Sequence, residues 1–268
     1  MKSLKIGCRQ KHQKINYEPY TNYILLQKDM NHALIFAGGT GIRMNTTGKP
    51  KQFLELYGKP IIIYTLEIFD QHPDIDTITI PCVAGWESYL TRLIEKYDIR
   101  KVKAVVTGGK DTQESKMNAL KAMKAYARDD DIVLLHDAVR PLVTPKLISD
   151  NIAAVKEYGS AITVVPFVET GILSDDGVTT EKSVIRNIMY IAKAPQSFYF
   201  KDVWDAHSIG ESMPYTITID TCSLMTELGK TLHLVPCDTT NIKITTPEDY
   251  FIFKALIDLR ESNDIFGF

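Results

Sequence analysis

Apolar residues recur in two alternating periods from about residue 32 onward. Short aliphatic runs read as strands: His32 to Ala37, Ile75 to Cys82, Val102 to Val106, Ile132 to Leu135 and Ala161 to Val165. Between them, apolar positions repeat at helical spacing over Pro60 to Phe69, Trp86 to Tyr97, Thr112 to Ala127 and Pro145 to Tyr158. In the second of these, Leu90, Leu93, Ile94 and Tyr97 share one face. Repeated strand–helix–strand units predict an α/β fold, a mostly parallel sheet flanked by helices on both faces. Ligands of such sheets sit outside the carboxyl ends of the strands. Chemistry is therefore expected just after Phe36, Val106 and Leu135.

The rhythm breaks between Phe167 and about Ser197. Val168 to Leu173, the polar tip Asp175-Asp176-Gly177, and Ser183 to Ile188 read as a protruding hairpin-like β-arm. The α/β pattern then resumes with a helix from Lys201 to about His207, a helix after Asp220, a strand over Leu232 to Val235 and a last helix from Pro247. Residues 1–29 carry Lys, Gln, Asn and Tyr around one short apolar stretch, Tyr23 to Leu26, too short for a signal-peptide core. They read either as a dispensable extension or as an extra element packed on the domain. The predicted organisation is an N-terminal extension over 1–29 and a single domain over 30–268, with the arm at about 167–197.

Composition narrows the function. The chain has 268 residues, 44% hydrophobic and 24% charged, enough to bury a full core without staples. Lys and Arg number 31 against 33 Asp and Glu, a net charge of −2, which argues against a dedicated nucleic-acid binder. No run of about 18 apolar residues suggests a membrane span. The four cysteines are scattered, with no Cys-x-x-Cys, so neither a disulfide framework nor a zinc site is expected, and a reducing cytoplasm fits.

The first strand ends in Ala37-Gly38-Gly39-Thr40-Gly41-Ile42-Arg43-Met44. The dinucleotide fingerprint fails, because Met44 stands where the third glycine belongs. The P-loop fails too, because Gly48-Lys49 is followed by Pro50. Two readings remain for the loop: backbone amides that approach a phosphate, or a tight turn that needs glycine dihedrals. Arg43 and Lys51 flank it with two cations. Phosphoryl-type transition states gain from such positioning and charge neutralisation.

Ala37 to Met44, followed by Pro50-Lys51-Gln52-Phe53, resembles the cytidylyltransferase family that makes CDP-alditols and CDP-methylerythritol. The resemblance continues through Gly108-Gly109, His136 to Pro141, Arg186-Asn187, Ala194 to Phe198 and Asn241 to Thr245, over residues 32 to about 260. It implies a Rossmann-like nucleotidyltransferase fold, CTP as donor, a polyol phosphate as acceptor, and Mg²⁺ or another divalent cation carried mainly by the CTP phosphates. It also implies a cytoplasmic homodimer joined through the arm. By resemblance, Arg43 and Lys51 stabilise the pentavalent transition state, Lys243 positions the attacking phosphate, and Arg186 grips the polyol phosphate across the dimer interface. Ala37, Gly38, Gly39, Thr40, Gly109 and Ser115 match the nucleotide pocket. Asp137 matches the aspartate near the ribose and metal, and Arg140 an arginine of the same loop. Thr170 and Asp220 join Arg186 and Lys243 on the acceptor side.

Within the family, Ala138 to Pro141, Arg186 to Tyr190 and Pro195 to Phe198 resemble the branch that acts on ribitol 5-phosphate. The methylerythritol phosphate branch and a catalytically silent nucleotide-binding protein are the alternatives. Thr112, Ala194 and Ile219 depart from the family pattern, the latter two near the expected acceptor pocket. Plainer roles stand beside several of these residues. His136 reads as packed, Ser115 as a possible helix cap, and Asp137 as a possible loop anchor. Thr245 to Glu248 reads as a helix start, and Asp129-Asp130-Asp131 as a solvated turn.

Overall fold

A computed structural model describes residues 29–39, 44, 48–214 and 220–266. The elements in chain order are β1 (Asn31–Phe36), β2 (Glu55–Leu56), β3 (Lys59–Pro60), α1 (Ile61–Gln71), β4 (Thr77–Cys82), α2 (Glu87–Lys96), β5 (Val102–Thr107) and α3 (Thr112–Met123). They continue with β6 (Ile132–Asp137), α4 (Pro145–Tyr158), β7 (Ser160–Pro166), β8 (Gly171–Leu173), β9 (Lys182–Val184) and β10 (Tyr190–Tyr199). The chain closes with α5 (Phe200–Gly210), α6 (Thr221–Glu227), β11 (Leu234–Pro236) and α7 (Pro247–Phe266).

Seven strands form one sheet in the order β11-β7-β10-β6-β1-β4-β5. Every pairing in it is parallel except those of β10, which runs antiparallel to both β6 and β7. The uninterrupted apolar runs follow from burial on both faces. Alternate residues of β1 and β6 enter opposite cores: Ala33, Ile35, Ile132 and Leu134 on one side, Leu34, Val133 and Leu135 on the other. The first core is closed by α1, α2 and α4 through Leu66, Phe69, Leu90, Leu147 and Ile152, and the second by α3, α5 and α6 through Met117, Leu120, Val203 and Leu224. Each such side chain, fully buried, contributes about 1.5–3 kcal/mol.

Local chemistry sets the helix ends. Asp111 caps α3 by accepting from the Glu114 amide at 2.8 Å, and Thr144 caps α4 ahead of Pro145. A cap of this kind is worth about 1 kcal/mol. Gly159 ends α4 at φ 80°, a left-handed conformation that suits glycine. A third apolar cluster packs Phe253 of α7 with Leu56, Ile61, Val139, Leu142 and Ile244. The Ile244 amide donates to the Val139 carbonyl at 2.8 Å, which fixes the segment before α7 beside the loop after β6.

Two expectations change. The arm is shorter than expected: β8 and β9 form its antiparallel hairpin, whereas residues 190–197 belong to β10 in the main sheet. The buried Ala194, Gln196 and Phe198 explain why, since that half of the segment must be covered on both sides. Asp131 is not solvated. It is fully buried, accepts from the Met30 amide at 2.9 Å and from Arg128, and meets the His32 ring. Asp29 reaches Arg128 at 3.3 Å, but residues 1–28 of the expected extension lie outside the described residues. Among the described residues, no helix is long and apolar enough to cross a membrane.

Candidate active site

The chain runs from β1 outward to β4 and β5, then returns to β6 on the other side of β1. This reversal opens a crevice at the carboxyl ends of the strands. A cleft of about 1000 Å³ lies there, lined by the ends of β1 and β6 and by the loops that follow β1, β5 and β6, as the alternation of elements predicted.

One wall is backbone. The Gly108 amide donates to the Cys82 carbonyl at 2.6 Å, and a Cβ on Gly108 would lie only 2.9 Å from that oxygen. The Gly109 amide donates to the Ser115 hydroxyl at 2.9 Å, and that hydroxyl donates to the Asp111 carbonyl at 2.7 Å. Ser115 thus ties the loop after β5 to the first turn of α3, and its Oγ would be 3.4 Å from a Cβ on Gly38. Across the cleft, the Ala37 carbonyl accepts from Gln52 Nε2 at 2.6 Å.

Lys51 begins a 3-10 turn, Lys51–Phe53, anchored by Phe53 stacked on Trp86 with ring centroids 5.1 Å apart. Its stem passes Gly39, and its ammonium donates to the Ile244 carbonyl at 3.0 Å. Lys51 and Lys243 are therefore held against one short segment. Asp137, at the end of β6, pairs with Lys243 at 2.7 Å and with Arg140 at 3.3 Å. Arg140 is anchored in turn by the Asn241 carbonyl at 2.8 Å. Burial penalises the Asp137 carboxylate, but the Lys243 ammonium and Arg140 guanidinium outweigh it and hold the group well below the usual carboxylate range. His136 is packed as expected, with no exposure and its Nε2 on the Arg140 carbonyl at 3.1 Å. Burial, reinforced by the Arg140 charge, lowers it to about 4.

The cleft thus gathers Gly38, Gly39, Lys51, Gly109, Ser115, Asp137, Arg140, Asp220 and Lys243, with Ala37 behind them. Its lining carries six cations, Lys51, Lys110, Lys116, Arg140, Lys193 and Lys243, against three carboxylates, Asp111, Asp137 and Asp220. That excess favours polyanionic ligands. Arg186 and Thr170 are not brought there within one chain. Both are exposed on the arm, where Arg186 lines a separate hollow of about 290 Å³ with Phe167 and Tyr190. Thr40 and Arg43 lie outside the described residues. Among the described residues no group of three or more His, Cys, Asp or Glu could hold a metal ion. Asp137 is a single carboxylate that already carries two cations. Such a donor set suits an ion held chiefly by substrate phosphates.

Sequence reasoning passed over Lys116, Gln196 and Thr221, which also line the cleft. For Lys116 the signal was available. It stands at i−4 and i−7 from the buried Leu120 and Met123, a lysine on the apolar face of a helix.

The described family IspD, 2-C-methyl-D-erythritol 4-phosphate cytidylyltransferase, matches residues 31–258. A ribitol-5-phosphate cytidylyltransferase from Vibrio parahaemolyticus is 50% identical, over 89% of this chain and 100% of the relative. One from Streptococcus agalactiae is 47% identical over the same shares. Among solved structures, the 4-diphosphocytidyl-2C-methyl-D-erythritol synthase of Anaerococcus prevotii superposes with a TM-score of 0.74 at 25% identity, covering 86% of this chain and 99% of that one. The 2-C-methyl-D-erythritol 4-phosphate cytidylyltransferase of Francisella tularensis gives 0.70 at 26% identity, covering 84% and 100%.

Proposed function

The chain belongs to the IspD family of cytidylyltransferases, and we propose that it transfers the cytidylyl group of CTP to ribitol 5-phosphate, releasing pyrophosphate. The observation that carries the acceptor is a gap in identity. Relatives named for ribitol 5-phosphate are 47–50% identical over their full length, whereas the two solved structures named for methylerythritol are 25 and 26% identical.

A non-bridging oxygen of the acceptor phosphate attacks the α-phosphorus of CTP. The new P–O bond forms as the bond to the α–β bridging oxygen breaks, and that oxygen leaves with pyrophosphate. The second pKa of a phosphate monoester is about 6, so the nucleophile is largely a dianion at neutral pH and needs no base. The site must bring two polyanions together and neutralise the charge that moves to the leaving group. Lys51 and Lys243, fixed against one segment, supply that charge without reorganisation at the moment of reaction. Lys51 serves the α-phosphate. Lys243, paired with Asp137 in the free protein, exchanges it for the acceptor phosphate. The glycine wall with Ser115 takes the nucleoside, and Arg140 steadies Asp137. Asp137 would help to hold Mg²⁺, which, carried by the triphosphate, would supply further neutralisation of the donor. Arg43 shares the role of Lys51 in this reading, with Thr40 in the same loop.

The arm supports a homodimer. Val168, Ile172, Leu173, Val178, Ile185 and Ile188 are all exposed on or beside it. A two-stranded hairpin is only marginally stable alone, and a twofold partner would cover both arms at once. Arg186 and Thr170 would then complete the acceptor site of the other subunit. CTP as donor supports a cytoplasmic setting.

The test is pyrophosphate release from CTP with each acceptor. Ribitol 5-phosphate should exceed 2-C-methyl-D-erythritol 4-phosphate in kcat/KM by at least about 100-fold, a floor well below the roughly 10⁴-fold that a fully hydrogen-bonding site can reach. The reverse preference would overturn the acceptor. No turnover with either would point to a silent nucleotide-binding protein.

A further inference from the structure

Lys116 sits in the first turns of α3 and is only 3% exposed, yet it lines the cleft. A lysine normally carries its ammonium out to water on its four-carbon stem. Here the residue stands on the side of α3 that buries Leu120 and Met123, and it forms part of the cleft wall. The floor below it is rigid. Gln113 Oε1 meets His207 Nδ1 at 2.7 Å, and His207 Nε2 meets the Thr221 hydroxyl at 3.1 Å, which locks α3 to α5 and α6. Asp220 is immobile as well. Its Oδ1 accepts from Gln196 Nε2 at 2.9 Å and its Oδ2 from the Ser223 amide at 3.3 Å, at the start of α6. Gln196 is fixed in turn by the Cys222 amide at 3.0 Å.

The groups around Lys116 define the ligand. Asp220, which caps α6, and Asp137 on β6 favour its ammonium, and Lys243 ahead of α7 opposes it. His207 on α5 is held neutral by burial. A phosphate placed beside Asp220 would meet a fixed carboxylate, so the group that fits there is neutral. A polyol chain offers hydroxyls that both donate and accept. An ammonium can donate to one hydroxyl while the neighbouring carboxylate accepts from the next.

We propose that Lys116, acting with Asp220, binds the hydroxyl groups of the acceptor polyol and determines specificity for them. This rests on the cytidylyl-transfer reading above. The nucleotide is left to the glycine wall and Ser115, and the phosphates to Lys51 and Lys243. Burial lowers the Lys116 amine to about 8, so it loses its charge just above neutral pH.

The experiment compares the wild type with Lys116→Met, which keeps the stem and removes the charge. Steady-state kinetics are measured with CTP, ribitol 5-phosphate and its monodeoxy analogues. The wild type should discriminate against at least one deoxy analogue by about 100-fold or more, because the site's polar groups are then left unpaired. In Lys116→Met, kcat/KM for ribitol 5-phosphate should fall roughly 10–100-fold, the KM for CTP should change less than about 3-fold, and the deoxy discrimination should shrink to within about 10-fold. The wild-type kcat/KM for the acceptor should decline above about pH 8, and the variant should lack that limb. A parallel rise in the KM for CTP, unchanged acceptor kinetics, or a wild type indifferent to every deoxy analogue would each overturn the proposal. If Lys116→Met does not fold, Lys116→Gln and the wild-type deoxy series still decide it. A wild type that releases no pyrophosphate with any polyol phosphate defeats the parent reading, an outcome distinct from turnover without hydroxyl discrimination.

Discussion

Replacing Lys51 by methionine separates its two roles. The substitution keeps an unbranched stem against Gly39 and removes the ammonium that reaches the Ile244 carbonyl at 3.0 Å. Ile244 is fully buried, so its carbonyl would lose that donor without access to water. An unsatisfied buried acceptor costs about 1–3 kcal/mol. For a chain of this size that is a fall of roughly 2–4 °C in Tm for each kcal/mol. The catalytic loss should be larger and of another kind. Removing one preorganised transition-state donor costs about 10²–10³ in kcat, or roughly 2.7–4 kcal/mol. CTP binding uses other cleft groups as well, so its KM should move only a few-fold. Thermal unfolding followed by circular dichroism would give the first number. A coupled pyrophosphate assay below the new Tm would give the second, with Lys51→Arg expected between wild type and methionine. A folded Lys51→Met protein with kcat within about 10-fold of wild type would refute the transition-state role.

Gly108→Ala should lower stability by about 1–3 kcal/mol through overpacking, because its Cβ would sit 2.9 Å from the Cys82 carbonyl oxygen, a backbone atom that cannot swing away; urea unfolding measures it. His136 titrates near 4 in the folded protein against its ordinary 6.5, so the native state prefers the neutral ring. Its contribution is complete above pH 6.5 and disappears as pH falls towards 4, a loss of up to about 3 kcal/mol that urea unfolding should record and that His136→Gln should reduce. Arg186→Lys should raise the KM for the polyol phosphate far more than that for CTP, since a lysine cannot reproduce the bidentate guanidinium grip. Mixing inactive Arg186→Ala with inactive Lys51→Ala should restore part of the activity, and no recovery despite proven subunit exchange would sink the cross-subunit site.

The parts of the fold visible in the sequence are those with one dominant cause. The aliphatic runs of β1 and β6 are buried on both faces, which makes them legible as strands to within about two residues at each end. The glycines follow β1 and β5, and they share with Lys51 and Lys243 the cleft at the carboxyl ends of the strands, where an α/β sheet places its ligands. What was hidden depends on contacts distant in the chain. Residues 190–197 alternate like an arm, but their partners β6 and β7 are non-local, and pairing with them makes β10 a covered strand. Asp131 looked like part of a polar turn because two of its partners, Met30 and His32, lie about a hundred residues away. Lys116 was overlooked for the opposite reason. Its place on the apolar face is a local signal, but only the assembled cleft shows that the lysine shares a wall with Asp137 and Asp220.

The most direct test of cytidylyl transfer follows the phosphorus atoms. The protein is incubated with CTP labelled at the α-phosphate and with ribitol 5-phosphate, and the products are separated. All of the transferred label should appear in a CDP-polyol, with unlabelled pyrophosphate formed in equal amount. Label in the pyrophosphate fraction, or consumption of CTP that is independent of the polyol phosphate, would contradict attack by the acceptor phosphate on the α-phosphorus.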